Sequence, residues 1–165
     1  NPPVFLMFSG FPDSTETFAD FSKYFQKDYH VVAMAYPDMD QSSLRSFWGY
    51  SMPSVMKALD AVIQDYRDLG CKSIYLLGHD WGAVISLMYA SKTPNIQHKI
   101  NKLVLEDVGI MNPREIVFLW DGLRLMMYQL YLCFLFLLSR IIANDAWTSW
   151  YKFMIRLYPW KILSP

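Results

Sequence analysis

The residue best placed to do chemistry is Asp80, at the centre of Gly78-His79-Asp80-Trp81-Gly82. It follows the mostly apolar run Ser73-Ile74-Tyr75-Leu76-Leu77, which reads as a buried strand. It precedes Ala83-Val84-Ile85-Ser86-Leu87-Met88-Tyr89-Ala90, which reads as a helix. A strand turning sharply into a helix, with glycine two residues to either side of the central position, is the layout of a nucleophile elbow. Such a turn lifts one side chain above the edge of a sheet, and glycine is required at Gly78 and Gly82 because strand and helix pass too close for side chains. The central residue is usually serine. A carboxylate in its place points to attack on an alkyl carbon with an ester intermediate, not to acyl transfer. The plain alternative is that Asp80 caps the helix that follows, as Asp often does.

The rest of the chain decides between these readings by what it brings near Asp80. Val4 to Ser9 is a continuous apolar strand, broken by Ser9-Gly10-Phe11-Pro12-Asp13. Asp13 and Glu16 have capping-box spacing, and Phe18, Phe21 and Phe25 recur at helical intervals to about Lys27. His30 to Ala35 reads as a second strand, and Tyr36 to Tyr50 as a polar, irregular stretch. Pro53 sits in the first turn of a helix with the apolar face Val55, Leu59, Val62, Ile63 and Tyr66, ended by Leu69-Gly70. Ile74 to Leu77 and Leu103 to Glu106 complete a set of four strands alternating with three amphipathic helices. That alternation predicts an α/β fold, a parallel doubly wound sheet with helices on both faces. In such sheets chemistry sits at the carboxyl ends of the strands. Ser9–Pro12, Gly78–Gly82 and Glu106–Gly109 all converge on that edge, which favours the elbow reading.

After Asn112-Pro113 the pattern becomes helical and dense in aromatics, with Trp120, Tyr128, Tyr131, Phe134, Phe136, Trp147, Trp150, Tyr151 and Phe153 before Tyr158. The expected division is therefore residues 1–111 as part of an α/β core and 112–165 as the start of an α-helical cap. Arg124 and Arg140 bracket fifteen residues, an apolar segment that includes 125–138. As a helix this spans about 22 Å, against roughly 30 Å for a bilayer core. A helix buried on several sides within protein is the first expectation. Membrane association through 125–138 is the second, since flanking arginines can snorkel.

Composition narrows the partners. Of 165 residues, 53% are hydrophobic, while Lys+Arg and Asp+Glu are both 15, so no excess of positive charge marks a nucleic-acid surface. Cys71 and Cys133 lie far apart and form neither a ligand spacing nor a disulfide framework; no metal is expected. That usage fits a reducing, intracellular location, cytoplasmic or membrane-associated. The chain opens Asn1-Pro2-Pro3 directly into a strand, without an initiating Met or a signal peptide, as if its N-terminus lay upstream.

With these residues in view the chain resembles the α/β-hydrolase superfamily, and within it the epoxide hydrolase branch. Gly78-His79-Asp80-Trp81-Gly82 is similar to that branch's elbow. Ser9-Gly10-Phe11-Pro12 resembles its His-Gly-x-Pro oxyanion loop, with Ser9 where the family has His. Tyr128-Gln129-Leu130-Tyr131 looks like the start of the cap segment that carries a ring-opening tyrosine. Two stretches depart from the family: Tyr36-Pro37-Asp38-Met39-Asp40 where relatives have a Gly-rich turn, and Leu132-Cys133-Phe134 where some carry Phe-Gln-Glu. The resemblance implies the first half to two thirds of a complete enzyme, with the C-terminal strands missing.

It also implies a mechanism without a cofactor, acting on a small apolar substrate. Asp80 would attack an epoxide carbon, kept ionised by the free N–H groups and positive end of the helix it precedes. Backbone N–H groups of Phe11 and Trp81 would form the oxyanion hole, and the Phe11-Pro12 bond would be cis. Tyr128 would hydrogen-bond the epoxide oxygen and release a proton to it. Core packing accounts equally well for a tyrosine in this aromatic helix, and a pocket wall for the Trp81 side chain. The base histidine lies after the family's last strand; His30, His79 and His98 are not in that position. Asp107 occupies the place where some relatives put an alternative acid, although a strand-end structural Asp is the commoner case. Dehalogenation of a haloalkane is the related alternative, with a halide-binding donor expected where Phe11 stands. A non-catalytic chain whose apolar helix engages a membrane or a partner is the alternative from another class.

Overall fold

Four short apolar runs pair side by side and in parallel: β1 (Val4–Phe8), β2 (His30–Met34), β3 (Ile74–His79) and β4 (Lys102–Glu106), in the order β2-β1-β3-β4. Between them lie α1 (Ala19–Phe25), α2 (Met52–Asp68) and α3 (Trp81–Lys92), and α4 (Trp120–Ile141) follows. The computed structural model describes residues 2–11, 13–37, 46, 48–107 and 120–141. The chain divides into two compact units, Asn1–Gly109 and Ile110–Pro165. The expected fold class, a parallel doubly wound sheet with helices on both faces, is what the first unit has.

The strand order positions the site. From β1 the chain moves outward to β2, then crosses back through α2 to form β3 on the other side of β1. The connections leaving β1 and β3 therefore part in opposite directions, which makes the carboxyl ends of these two strands the switch point where such sheets place their sites. Register brings Phe8, the last residue of β1, beside Gly78, and Gly78 beside Leu105. The residues that follow each strand, Ser9-Gly10, Asp80 and Asp107, consequently emerge at one edge.

Alternation along the strands supplies the two faces. Val4, Leu6 and Phe8 of β1 with Ile74 and Leu76 of β3 point to one side. There they meet Val55, Leu59 and Ile63 of α2 and Ile85 and Tyr89 of α3, all buried. Burying a side chain of this size stabilises by about 1.5–3 kcal/mol, and Met52, Met56, Val62 and Tyr66 of α2 pack against the same core. Ser51 caps α2 by accepting from the Ser54 N–H at 3.4 Å, and Pro53 sits in its first turn as expected. On the opposite face Met7 and Leu77 pack with Phe18, bordered by Phe5, Val31 and Ala33.

Several local expectations need correction. The turn before α1 is capped by Ser14, whose hydroxyl accepts from the Glu16 N–H at 3.4 Å; Asp13 does not cap it. The first turn, Thr15–Phe18, is a tighter 3-10 turn that tucks Phe18 into the core, and Phe21 is left exposed. Strand β4 is mostly exposed, with Val104 and Leu105 both open to solvent, because no described residue pairs with its outer edge.

Helix α4 also differs from expectation. Among its described side chains only Leu132 and Leu135 are buried, while Leu123, Met126, Met127, Leu130, Phe134 and Leu137 are exposed. Their spacing of three and four places them along one face. An apolar sequence on every side of a helix does not specify which side is covered, so the described side chains differ from the expected burial on several sides. Among the described residues no helix is long and apolar enough to cross a membrane. Trp147, Trp150, Tyr151 and Phe153, with the segment 112–119 and most of Tyr36–Tyr50, lie outside the described residues.

At the amino-terminal edge of the sheet, polar side chains lock the helices to the strands. Asp60 of α2 accepts from the Tyr89 hydroxyl at 2.6 Å and from the Lys99 ammonium. Lys99 foremost, then Tyr89, holds the Asp60 carboxyl below its ordinary value. Burial, followed by Asp60 itself, pushes the Tyr89 hydroxyl upward. A depressed carboxylate contributes stability above its unfolded pKa and loses it as pH falls through the folded one. Asp60→Asn is therefore expected to cost about 1 kcal/mol at pH 7, discounted because the pair is partly exposed, and almost nothing at pH 2. Urea unfolding at the two pH values checks this. An equal cost at both would show that the charge contributes nothing.

Candidate active site

The turn between β3 and α3 is as sharp as the sequence implies. Asp80 has φ 52° and ψ −124°, a left-handed conformation that an L-residue occupies only at a cost of about 1–3 kcal/mol. Its backbone is secured on both sides. The Asp80 N–H donates to the Glu106 carbonyl at 3.2 Å, and its own carbonyl accepts from the N–H groups of Ala83 and Val84 at 2.9 and 3.2 Å.

Two glycines make the corner possible. A Cβ on Gly78 would stand 2.6 Å from the Ala83 Cα, and one on Gly82 would stand 2.7 Å from the Ser9 carbonyl oxygen and closer still to that of Phe8. Gly78 thus lets α3 start against β3, and Gly82 lets α3 start against the end of β1. In both cases the obstacle is backbone, which cannot step aside.

Asp80 is half-buried and its side chain makes no hydrogen bond that caps α3, so helix capping does not explain it. Burial pushes its carboxyl above the ordinary carboxylate value. The Trp81 backbone N–H and His79 pull it down, and Asp13 and Asp107 push it further up. The direction of the shift is thus upward, although the helix end was expected to favour the charged form. The Trp81 N–H acts in the expected direction, but removal from water outweighs it.

The loop after β1 comes directly onto this carboxylate. Gly10 lies so near that a Cβ there would sit 2.6 Å from the Asp80 Cβ, and closer to its Oδ2. The loop closes through the Asp13 N–H, which donates to the Gly10 carbonyl at 3.1 Å. Phe11, next to Gly10, stands edge-on to Tyr36 with ring centres 6.2 Å apart; Pro12 lies outside the described residues. Ser9 is completely buried, its N–H and hydroxyl donating to the Met34 carbonyl at 2.9 and 3.4 Å. A small hydroxyl thereby ties β1 to β2 at the position where the resemblance has histidine.

Asp80, Trp81 and Phe11 therefore meet at one edge of the first unit. Tyr128 is on α4 of the second unit, half-buried. Three further residues belong to the edge: Gly10 of the expected oxyanion loop, Asp107, already considered as an alternative acid, and Asp13, expected only as a cap. Gly10 packs on Asp80, and Asp13 and Asp107 flank the His79 imidazole, with Asp13 Oδ2 3.5 Å from Nδ1 and Asp107 Oδ2 3.9 Å from Nε2. Asp107, like Asp80, has a positive φ, of 59°. The contacts of these three residues with Asp80 and His79 follow from strand order, because they come from two loops far apart in the chain. Among the described residues no group of His, Cys, Asp and Glu side chains could hold a metal ion. Cys71 is buried, Cys133 is exposed, and both are free thiols.

The sequence model of the alpha/beta hydrolase fold matches residues 3–132, from the start of β1 into α4. The chain belongs to the α/β hydrolase fold family. Within that family it is similar to mouse Epoxide hydrolase 4, 29% identical over 104 residues that make up 59% of this chain and 27% of that protein. The human Epoxide hydrolase 4 is likewise 29% identical over 104 residues, 26% of its length. The chain thus spans about a quarter of the length of these curated relatives.

Solved α/β hydrolase structures share the fold. MenH from S. aureus superposes with a TM-score of 0.62 at 23% identity, over 95% of this chain and 53% of that one. The Bacillus megaterium epoxide hydrolase, solved with an inhibitor, gives 0.62 at 22% identity over 79% and 45%. The epoxide hydrolase VrEH1 from Vigna radiata gives 0.54 at 24% identity over 79% and 42%.

Proposed function

We propose that this α/β hydrolase fold chain belongs to an enzyme that opens small apolar epoxides through an ester on Asp80. One observation carries the reading. A half-buried carboxylate stands on a strained elbow, caps nothing, and is met by the loop that begins at Gly10. A carboxylate oxygen of Asp80 attacks an epoxide carbon, the carbon–oxygen bond of the ring breaks, and the released oxygen takes a proton from the Tyr128 hydroxyl. The raised pKa of Asp80 marks it as poorly solvated and hence more reactive once ionised. When water later attacks the ester, the N–H groups of Phe11 and Trp81 stabilise the charge that develops on the carbonyl oxygen. That water needs a base, a role assigned to none of His30, His79 and His98.

An oxyanion-type turn beside a carboxylate also suits displacement of halide from a haloalkane. Phe11, where that chemistry wants a side-chain donor, favours the epoxide. The test is intact-mass measurement after exposing the full-length protein to styrene oxide, alongside halide release from chloro- and bromoalkanes. A mass increase of one epoxide, mapped by peptide fragmentation to Asp80 and absent in Asp80→Asn, is the expected result. Adduct on another residue, or turnover that survives Asp80→Asn, would overturn the proposal.

A further inference from the structure

Three carboxylates, those of Asp13, Asp80 and Asp107, gather where β1, β3 and β4 end, and they belong to three different loops. Like charges this close oppose the meeting of those loops. The His79 imidazole, at the end of β3, lies between two of them, 3.5 Å from Asp13 through Nδ1 and 3.9 Å from Asp107 through Nε2. The Phe18 ring stands edge-on to it at 6.5 Å. Nδ1 is buried and makes no hydrogen bond to any described residue, and the Asp13 carboxylate at 3.5 Å is the charged group that faces it.

Each of these neighbours continues by one backbone contact to Asp80. The Asp13 N–H closes the turn on the Gly10 carbonyl, and Gly10 packs on the Asp80 side chain. Asp107 follows Glu106, whose carbonyl accepts from the Asp80 N–H. One imidazole therefore reaches both segments that hold Asp80, the Gly10 turn on one side and the end of β4 on the other. We propose that His79 is a positioning residue of the candidate active site: set between Asp13 and Asp107, it draws the Gly10 turn and the end of β4 onto Asp80. The clamp itself stands on these contacts; its consequence for catalysis rests on the function proposed above.

Amide hydrogen exchange in the full-length protein reads the clamp without any turnover. In His79→Ala the amides of Asp13 and Asp80 should exchange roughly tenfold faster, while the core amide of Leu59 keeps its wild-type rate. His79→Asn places an amide nitrogen near Nδ1, so it should restore slow exchange at Asp13. The second readout is labelling of Asp80 by styrene oxide, followed as rate against epoxide concentration. In His79→Ala the limiting rate should fall about tenfold with little change in half-saturation, because the carboxylate is misplaced while the apolar residues around it are unchanged. His79→Asn should recover part of it. Exchange at Asp13 and Asp80 within twofold of wild type, or an equal rise at Leu59 showing general destabilisation, would overturn the proposal. If wild-type protein shows neither adduct on Asp80 nor release of the diol from styrene oxide while the exchange pattern is as expected, the clamp stands and the epoxide reading fails.

Discussion

Asp80→Asn is expected to abolish epoxide opening and at the same time to make the protein more stable at neutral pH. The first effect follows from losing the attacking oxygen, which an amide cannot replace, and should be about 10⁴-fold or more in turnover. The second follows from the direction of the Asp80 pKa. Burial raises it above the ordinary value of 3.8, so the fold favours the protonated form and pays a penalty whenever the carboxylate is charged. Stability then falls as pH rises from the unfolded pKa through the folded one and stays lowered at pH 7. Asparagine carries no charge and tolerates positive φ, so the substitution lifts the penalty and leaves the corner intact. The gain should be about 0.5–2 kcal/mol at pH 7, as is common where function opposes stability, and should vanish as pH drops toward 3.8. Thermal unfolding of both proteins at pH 7 and pH 4 checks this. A variant less stable than wild type at pH 7 would mean that Asp80 holds the elbow together and is not strained there for another purpose.

The second large effect separates two glycines of the same site. Gly82→Ala pushes a methyl group into the Phe8 and Ser9 carbonyls, both backbone at the end of a central strand. Overpacking typically costs 1–3 kcal/mol when side chains can yield. Here they cannot, and a loss of at least about 3 kcal/mol is expected, a large share of the 5–15 kcal/mol that holds a typical domain together. Gly10→Ala meets the Asp80 side chain first: the carboxylate can turn aside, while a shift of the Gly10 turn must relieve the Cβ 2.6 Å away. It should cost about 1–2 kcal/mol in stability yet silence labelling of Asp80, because the carboxylate must turn away from its attacking position. Urea unfolding and adduct mass on both variants give the comparison. If Gly10→Ala labels at the wild-type rate, the Gly10 turn does not shape the site.

Where sequence and structure agree, the reason lies in short-range pattern. Four apolar runs spaced by amphipathic helices fix a parallel sheet, and Gly78 and Gly82 around Asp80 fix the corner, because strand period, helix period and the bulk of a Cβ are local quantities. The corrections share a different cause. The capping-box spacing pointed to Asp13, yet Ser14 caps the turn and the Asp13 carboxylate lies 3.5 Å from His79 instead, a contact made across the fold. The helix end beside Asp80 was legible, whereas the burial that outweighs it depends on how the surrounding loops pack. For α4, apolar residues on all sides could not announce which face is left exposed.

The sequence alone determined the kind of fold, the corner at Asp80 and the chemistry a carboxylate can do there. Its residues write those features within spans of about ten positions, where backbone geometry leaves few choices. Only the tertiary structure decided that Gly10 packs on that carboxylate and that His79 stands between Asp13 and Asp107. Those partners are separated by tens of residues in the chain and are joined by strand order, in which β1 lies between β2 and β3. Contacts made across a crossover depend on which strands become neighbours, and that is set by the packing of the whole sheet.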